Sequence, residues 1–421
     1  MPRNSVAINA VRVSRQGGGG MDHYTILLVN SMAQLGLDFD LWTFVPEHFP
    51  QVPENKIRHP FFFLGISHRK RNRSGPASAS DSVPDSVSVS AEKISATNEW
   101  KKKLSILLGD SIKMFWIQVF FPLIVWIKKY KIVFAPSQID AFPWKIPGAH
   151  QIISVLDLIP FLLPDQPNKH SVYLKYFFPV ALENAAHLIT ISENTKRDVH
   201  RLFAVPNEKM TNILLAQPLQ AKKNVVASTQ EMEQIRKKYN LGKYLFCVSG
   251  NHPHKNIPRL LEAFGAIQNQ VQEDLVIAGY KDPNLQKNLD ENTAAQKLSR
   301  RVHFLGHVSE QDLINLYCGA QAFVFPSLYE GFGLPPLESM AFGTPVALSN
   351  SSSLPEVAGD AALYFDPLKT TEISAALLKI LTDASLRERL SILGKQRASL
   401  FSWEKTAKET MQVLSANYDS V

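Results

Sequence analysis

Two glutamates, Glu330 and Glu338, stand with seven residues between them, and that spacer contains Gly331, Phe332, Gly333, Leu334 and the Pro335-Pro336 pair. An ionised carboxylate accepts two hydrogen bonds side by side, which matches the vicinal diol of a ribose or a hexose. The glycines let the backbone turn sharply and approach a ligand closely. Upstream, 322–325 is a short apolar, aromatic-rich run that reads as a buried parallel strand. Downstream, proline at the first helical position predicts a helix opening at Pro335 or Pro336. It runs through Leu337, Met340 and Ala341, with Glu338 in its first turn, and stops at Gly343-Thr344-Pro345. A strand, a glycine turn and a helix with free amides form a ready anion site. Diol-binding carboxylates beside an anion site suit a ligand with phosphates and hydroxyl pairs, such as a nucleotide sugar.

A cation is expected near that charge. Lys255 lies in the loop Gly250-Asn251-His252-Pro253-His254-Lys255-Asn256, between an apolar strand at 244–249 and a helix at 257–267. A point charge beside free helix amides is well placed for a diphosphate. The other acidic pair, Asp38 and Asp40, has the spacing of a metal-binding Asp-x-Asp. It follows the helix-stopping Gly36, so the two read as solvated turn carboxylates and no metal site is assigned.

The segment from Glu330 to Glu338 resembles the donor-binding signature of the retaining glycosyltransferases of family 4, which have the GT-B architecture. The resemblance implies that Glu330 contacts the transferred sugar and that Glu338 holds the ribose. It further implies that amides at Gly331, Phe332, Gly333 and Leu334 serve the sugar and diphosphate. Gly250 to Asn256 is similar to the family's Gly...Arg-Lys-Asn phosphate segment, with His254 where arginine is common; a neutral imidazole grips phosphate less strongly. The Gly306-His307-Val308 turn matches the family's base-binding edge. A strand ending at Leu156-Asp157 matches the family's His-Asp element, with leucine in place of histidine, which removes one expected sugar contact. Gly18 and Gly19, in the run Gly17–Gly20, and Asp157 are implied on the acceptor side. The resemblance is specific from about residue 250 to 367 and diffuse before 152.

The elements that must position these residues alternate strand and helix twice over. In the first half, a strand within 5–13, the glycine run, a helix over 21–35 and a strand at 39–44 open a doubly wound sheet. The glycine run is not a dinucleotide fingerprint, because the third glycine would fall on Asp22. Strands follow at 132–135, 152–156 and 188–191, the last leading to a helix capped by Ser192. The pattern restarts with strands at 244–249, 275–278, 302–305, 322–325, 346–348 and 362–365, and with a helix capped by Ser309. The expected fold is α/β, with two Rossmann-like doubly wound domains facing across a cleft. Residues 1–220 form the acceptor-side domain and 221–400 the donor domain, while 401–421 are a helix packing back on the first domain. Residues 67–98, rich in Ser, Asp, Val and Pro after a basic run, read as a disordered insert.

Composition is that of an ordinary soluble chain: 421 residues, 45% hydrophobic and 20% charged. Cys247 and Cys318 are the two cysteines, both in apolar segments, so a reducing, cytoplasmic setting is expected. The N-terminus lacks the apolar run of a signal peptide. A net charge of +7 suits an acidic partner, whether sugar nucleotide, lipid phosphate or anionic membrane. No nucleic-acid signature and no zinc-type spacing occur. The aromatic stretch 114–127, flanked by lysines, is shorter than the about 20 apolar residues a spanning helix needs. It leaves two readings open. It is a core helix, or it is a membrane-surface contact with Phe115, Trp116, Phe120, Phe121 and Trp126 facing lipid.

The expected activity is retaining, metal-independent transfer of a hexosyl unit from a nucleotide-diphosphate sugar to a glycan or lipid-linked acceptor, with no further cofactor. Glu330 and Lys255 are the catalytic candidates. The enzyme would be cytoplasmic, or peripheral on the inner face of the cell membrane. The alternatives are an epimerase or phosphorylase on the same scaffold, or a sugar-nucleotide-binding protein without turnover.

Overall fold

The computed structural model describes residues 5–14, 20–60, 112–164, 171–221, 228–279, 298 and 300–421. The expected insert at 67–98 and the glycines at 18 and 19 lie outside the described residues. Among the described residues the strands form two sheets, and every neighbouring pair in them is parallel. The first sheet holds β1 (Val6–Asn9), β2 (Asp40–Trp42), β3 (Ile57–Arg58), β4 (Ile132–Ala135), β5 (His150–Val155), β6 (His187–Thr190) and β7 (Met210–Asn212). Its order is β3-β2-β1-β4-β5-β6-β7. The second holds β8 (Tyr244–Val248), β9 (Asp274–Ala278), β10 (Val302–Gly306), β11 (Ala322–Phe325), β12 (Val346–Ser349) and β13 (Ala362–Phe365), in the order β10-β9-β8-β11-β12-β13. The two-domain α/β fold is therefore observed. Strands covered on both faces read as unbroken apolar runs rather than alternations; Val6, Ala7 and Ile8 are all fully buried.

Each sheet grows outward in two directions from an inner pair, β1 beside β4 and β8 beside β11. That reversal opens a crevice at the carboxyl ends of the strands, where ligands bind in open α/β sheets. Both candidate halves of the cleft sit at such points.

The helix Trp403–Tyr418 returns to the first sheet, packing on the helix Gly20–Gln34 and on β4 to β6. Trp403 Nε1 donates to the carbonyl of Gln217 at 3.2 Å, and Thr406 Oγ1 to that of Leu214 at 2.7 Å.

Three expectations change. Asp40 is no solvated turn residue: it is buried, pairs with Arg58 at 2.8 Å and accepts from Tyr130, while Asp38 pairs with Lys56. The first strand stops at Asn9 rather than reaching Val13: after the Ala10 amide donates to the Trp42 carbonyl at 2.9 Å, the chain turns and the Val13 amide bonds back to Ala10 at 3.4 Å. The aromatic stretch is also divided. A π-turn, Trp116–Phe120, precedes the helix Phe121–Lys128 and puts Pro122 in its first turn, where a missing N–H is tolerated. Trp116 and Phe121 stack at 5.2 Å in the core against Trp42, so they do not face outward with Phe115 and Trp126.

Candidate functional site

The turn after β11 is held from below by a serine run that the sequence reading passed over. Ser352, at φ 54°, accepts the Glu330 N–H at 2.9 Å. Ser353 Oγ shares its proton between the carbonyls of Glu330 (3.0 Å) and Phe332 (2.7 Å). A left-handed serine is uncommon, and three hydrogen bonds from one tight loop are what hold it there. The only sequence signal was small polar residues between a strand and Leu354-Pro355.

Glu330 is thereby buried, and its Oε1 meets Lys255 Nζ at 2.7 Å. The two catalytic candidates are an ion pair across the β8–β11 crevice. Lys255 closes a 3₁₀ turn, Pro253–Lys255, one residue before the helix Ile257–Ile267. Asn256 then takes φ 58° and is held by bonds from its Nδ2 to the carbonyls of Pro326 (3.1 Å) and Pro367 (2.8 Å). The ammonium lies 5.0 Å from the centre of the Phe325 ring, so strand, ring and carboxylate fix its direction. Arg259 bonds only to Asn256 Oδ1 among the partners seen for it, at 3.1 Å.

His254 is buried beside this pair, its ring stacked on His252. Burial lowers its pKa to about 4, with Lys255 and His252 acting the same way, so the ring is neutral near pH 7. Gly250 lies at the mouth of this loop, next to the His252 ring.

Asp157, at the end of β5 in the other domain, faces this pair. Removal from water, opposed by the Ile159 amide and by Lys255 and helped by the Glu330 charge, raises its carboxyl to about 6. The domains touch closely here: a Cβ on Gly331 would overlap the carbonyl oxygen of Leu156. Leucine thus packs where the family resemblance implies a histidine, and it is Asp157 that carries polarity into the cleft.

The helix after the turn runs Leu334–Ala341, capped by Gly333 at φ 113°. It opens one residue earlier than expected, which leaves Glu338 beyond the first turn. Pro335 and Pro336 have no N–H, so the anion site at this helix is smaller than a full helix terminus. The backbone amides that remain at this helix start are those of Phe332, Gly333 and Leu334. Glu338 is buried and accepts the Tyr317 hydroxyl at 2.8 Å. Burial raises its carboxyl to about 7, offset in part by that bond and helped by Glu310. Glu310, whose charge acts on Glu338, follows the Gly306-His307-Val308 turn by two residues. There Gly306, at φ 64°, accepts the Gly279 amide at 2.6 Å, and His307 is exposed. Gly279, the residue that closes β9, leaves no room for a side chain against the Ser249 carbonyl.

The profile described as "Glycosyl transferases group 1" matches residues 228–397. The chain is 34% identical over 263 residues to O-antigen chain mannosyltransferase B of Escherichia coli, covering 61% of this chain and 67% of that one. Sucrose-phosphate synthase (tll1590) from Thermosynechococcus elongatus superposes with a TM-score of 0.67 at 20% identity, over 100% of both chains. Anabaena Alr3699/HepE in complex with UDP-glucose superposes with a TM-score of 0.65 at 14% identity, over 98% of this chain and 99% of that one.

Proposed function

The chain belongs to the glycosyl transferases group 1 family, and from that premise we propose that it is a retaining hexosyltransferase using a nucleotide-diphosphate sugar. The acceptor is a glycan or lipid-linked saccharide, in polysaccharide or cell-envelope glycan synthesis. The observation that carries this reading is the Lys255–Glu330 pair at the β8–β11 crevice, facing Asp157.

Transfer needs stabilisation of the departing nucleoside diphosphate and of an oxocarbenium-like sugar. Lys255 and the amides of Gly333 and Leu334 receive the phosphate charge. Glu330, oriented by Lys255, accepts from sugar hydroxyls, and Glu338 holds the ribose diol. Glu330 is held by its ion pair with Lys255, and neither it nor Asp157 is assigned as a covalent nucleophile. Attack on the face the diphosphate leaves, with retention, follows. The positive charge comes from the chain itself, so neither a metal nor a further cofactor is required. Mannose is the first sugar to test, given the O-antigen chain mannosyltransferase relative.

The test is incubation with a panel of nucleotide sugars and candidate acceptors, with products resolved by anomer. A retained configuration, unchanged by EDTA, is expected. An inverted product, or loss in EDTA restored by manganese, overturns the mechanism. Epimerised donor, phosphorolysis or binding without turnover each overturns the assignment.

Among the described residues no helix is long and apolar enough to cross a membrane. For a lipid-linked acceptor we infer a peripheral position on the inner membrane face. It rests on the outward stripe Ile112, Phe115, Val119, Leu123 and Trp126, all exposed, beside exposed Lys128 and Lys129.

A further inference from the structure

Glu330 is gripped on both flanks by the first domain. Tyr329, the residue before it, donates its hydroxyl at 2.7 Å to Asp198 Oδ2, on the helix Glu193–Phe203. Gly331, the residue after it, accepts through its carbonyl from Ser192 Oγ at 2.8 Å, with Thr195 Oγ1 at 3.4 Å from the same oxygen. From its own domain Glu330 is held by the Ser352 and Ser353 bonds to its peptide. The turn is thus fixed from two sides by different domains, and of these bonds only those of the serines 352 and 353 survive when the domains part. With all of them made, Glu330 meets Lys255 at 2.7 Å.

The Tyr329 contact is built for direction. Asp198 is 8% exposed and also accepts from two donors of its own helix, Asn194 Nδ2 at 3.1 Å on Oδ2 and Arg201 at 2.6 Å on Oδ1. Those bonds hold the carboxylate still. Asn194 Nδ2 lies 3.3 Å from the Tyr329 oxygen as well, so the hydroxyl both donates and accepts. Burial raises the pKa of that hydroxyl, and the bond and charge of Asp198 and then the Asp157 charge act the same way, so it stays a donor. A buried charged bond is a costly way merely to hold two domains together, because its groups lose water. Adhesion is supplied elsewhere, by Glu356 at the start of the same helix. What Tyr329 adds is its place one residue from Glu330, where a shift of its backbone carries the carboxylate with it. Misplacing a reacting group by about 1 Å can cost on the order of 100-fold in rate.

We propose that Tyr329 is a positioning residue, whose bond to Asp198 across the cleft aligns Glu330 with Lys255 and the donor sugar only when the two domains are closed. This deepens the proposed function and rests on it for the role of Glu330.

The experiment is steady-state kinetics of the full chain and of Tyr329→Phe, Asp198→Ala, Asp198→Asn and the double variant Tyr329→Phe/Asp198→Ala. GDP-mannose, UDP-glucose and UDP-N-acetylglucosamine are the donors, with the acceptor panel present. Phenylalanine keeps the ring and alanine suits a helix interior, so the variants should fold. In Tyr329→Phe kcat should fall roughly 10- to 100-fold, the rate equivalent of one hydrogen bond to a charged group. Donor KM and calorimetric affinity for UDP and GDP should stay within about twofold, the mark of an interaction that serves the transition state. The double variant should be no slower than the slower single one, as for two residues acting through one bond. Asp198→Asn keeps an acceptor for the hydroxyl and should recover most of the rate lost in Asp198→Ala. An unchanged kcat in Tyr329→Phe, a loss confined to KM, or losses that multiply in the double variant each overturns the positioning role. Hydrogen exchange of the segment 327–334 gives a reading without turnover, and it should be slow in the native chain and faster in Tyr329→Phe. A native chain that consumes no nucleotide sugar yet shows that difference sinks the transferase reading and keeps the cross-domain grip on Glu330. Equal exchange in the two proteins overturns the grip.

Discussion

Glu356 caps the helix Glu193–Phe203 from across the cleft: both of its carboxylate oxygens lie 2.9 Å from the peptide nitrogen of Glu193. Asn212 Nδ2 reaches the same carboxylate at 3.3 Å, and Ser192 Oγ donates to the Gly331 carbonyl at 2.8 Å. A negative side chain at a helix N-terminus is favoured by the free amides and the dipole. Here cap and helix belong to different sheets, so the contact holds the domains together.

Glu356→Ala should therefore loosen closure. Charge-assisted hydrogen bonds contribute about 1.5–3 kcal/mol, and a donor KM raised about 10-fold or more is expected with the fold retained. Small-angle scattering should show a larger radius of gyration in the absence of donor. An unchanged radius and an unchanged KM together mean that this latch does not govern closure.

Glu338→Ala should weaken donor binding by about 1.5–3 kcal/mol, the worth of a charged diol contact, and leave folding intact. The pH dependence is more telling. With its carboxyl raised from 4.5 to about 7, the folded, donor-free protein keeps a proton that the unfolded chain has lost between those values. Its stability should fall as pH rises from about 4.5 to 7, because the folded state binds more protons there. Donor affinity should run the opposite way and improve as pH passes 7, since the ionised form accepts both hydroxyls. The diphosphate of a nucleotide sugar is a diester and does not titrate there. Calorimetry at pH 6 and pH 8 on native and Glu338→Gln protein checks this, and a native protein as pH-independent as the variant refutes it.

Glu330, Gly331, Gly333 and the prolines were legible because each imposes a backbone or charge requirement that local sequence displays. Ser352, Ser353 and Glu356 were not, because their contacts arise only when distant loops meet. The strands β3 and β7 are two and three residues long, too short for a periodic signal. The division of the aromatic stretch was hidden for a related reason: which of Phe115 and Trp116 faces inward depends on the π-turn, not on residue type.

Lys255→Ala should lower turnover far more than Arg259→Ala. Lys255 is directed at Glu330 and the crevice, whereas Arg259 bonds back to Asn256. Loss of one preorganised charge at a leaving group typically lowers kcat by about 10²–10³; for Arg259→Ala a change under about fivefold is expected. Single-turnover rates at saturating donor separate chemistry from binding. Equal, small losses from both would reduce Lys255 to a structural partner of Glu330.

The membrane reading keeps Phe115 and Trp126 of the aromatics the sequence suggested and adds Ile112, Val119 and Leu123. Trp116 and Phe121 are core, so replacing Trp116 would damage the domain whatever the surface does. Phe115 and Trp126 are 57% and 60% exposed and flank Val119 and Leu123 on the same stripe. Apolar insertion and basic attraction reinforce one another there, each lysine near an anionic surface contributing on the order of 1 kcal/mol. The double variant Phe115→Glu/Trp126→Glu changes only exposed side chains and should keep the native melting temperature. It should lose flotation with vesicles of phosphatidylglycerol, while the native chain floats at low salt and less so as salt rises. A native chain that stays with the soluble fraction at low salt, or a folded double variant that still floats, removes the membrane from this site and leaves a water-soluble glycan as the acceptor.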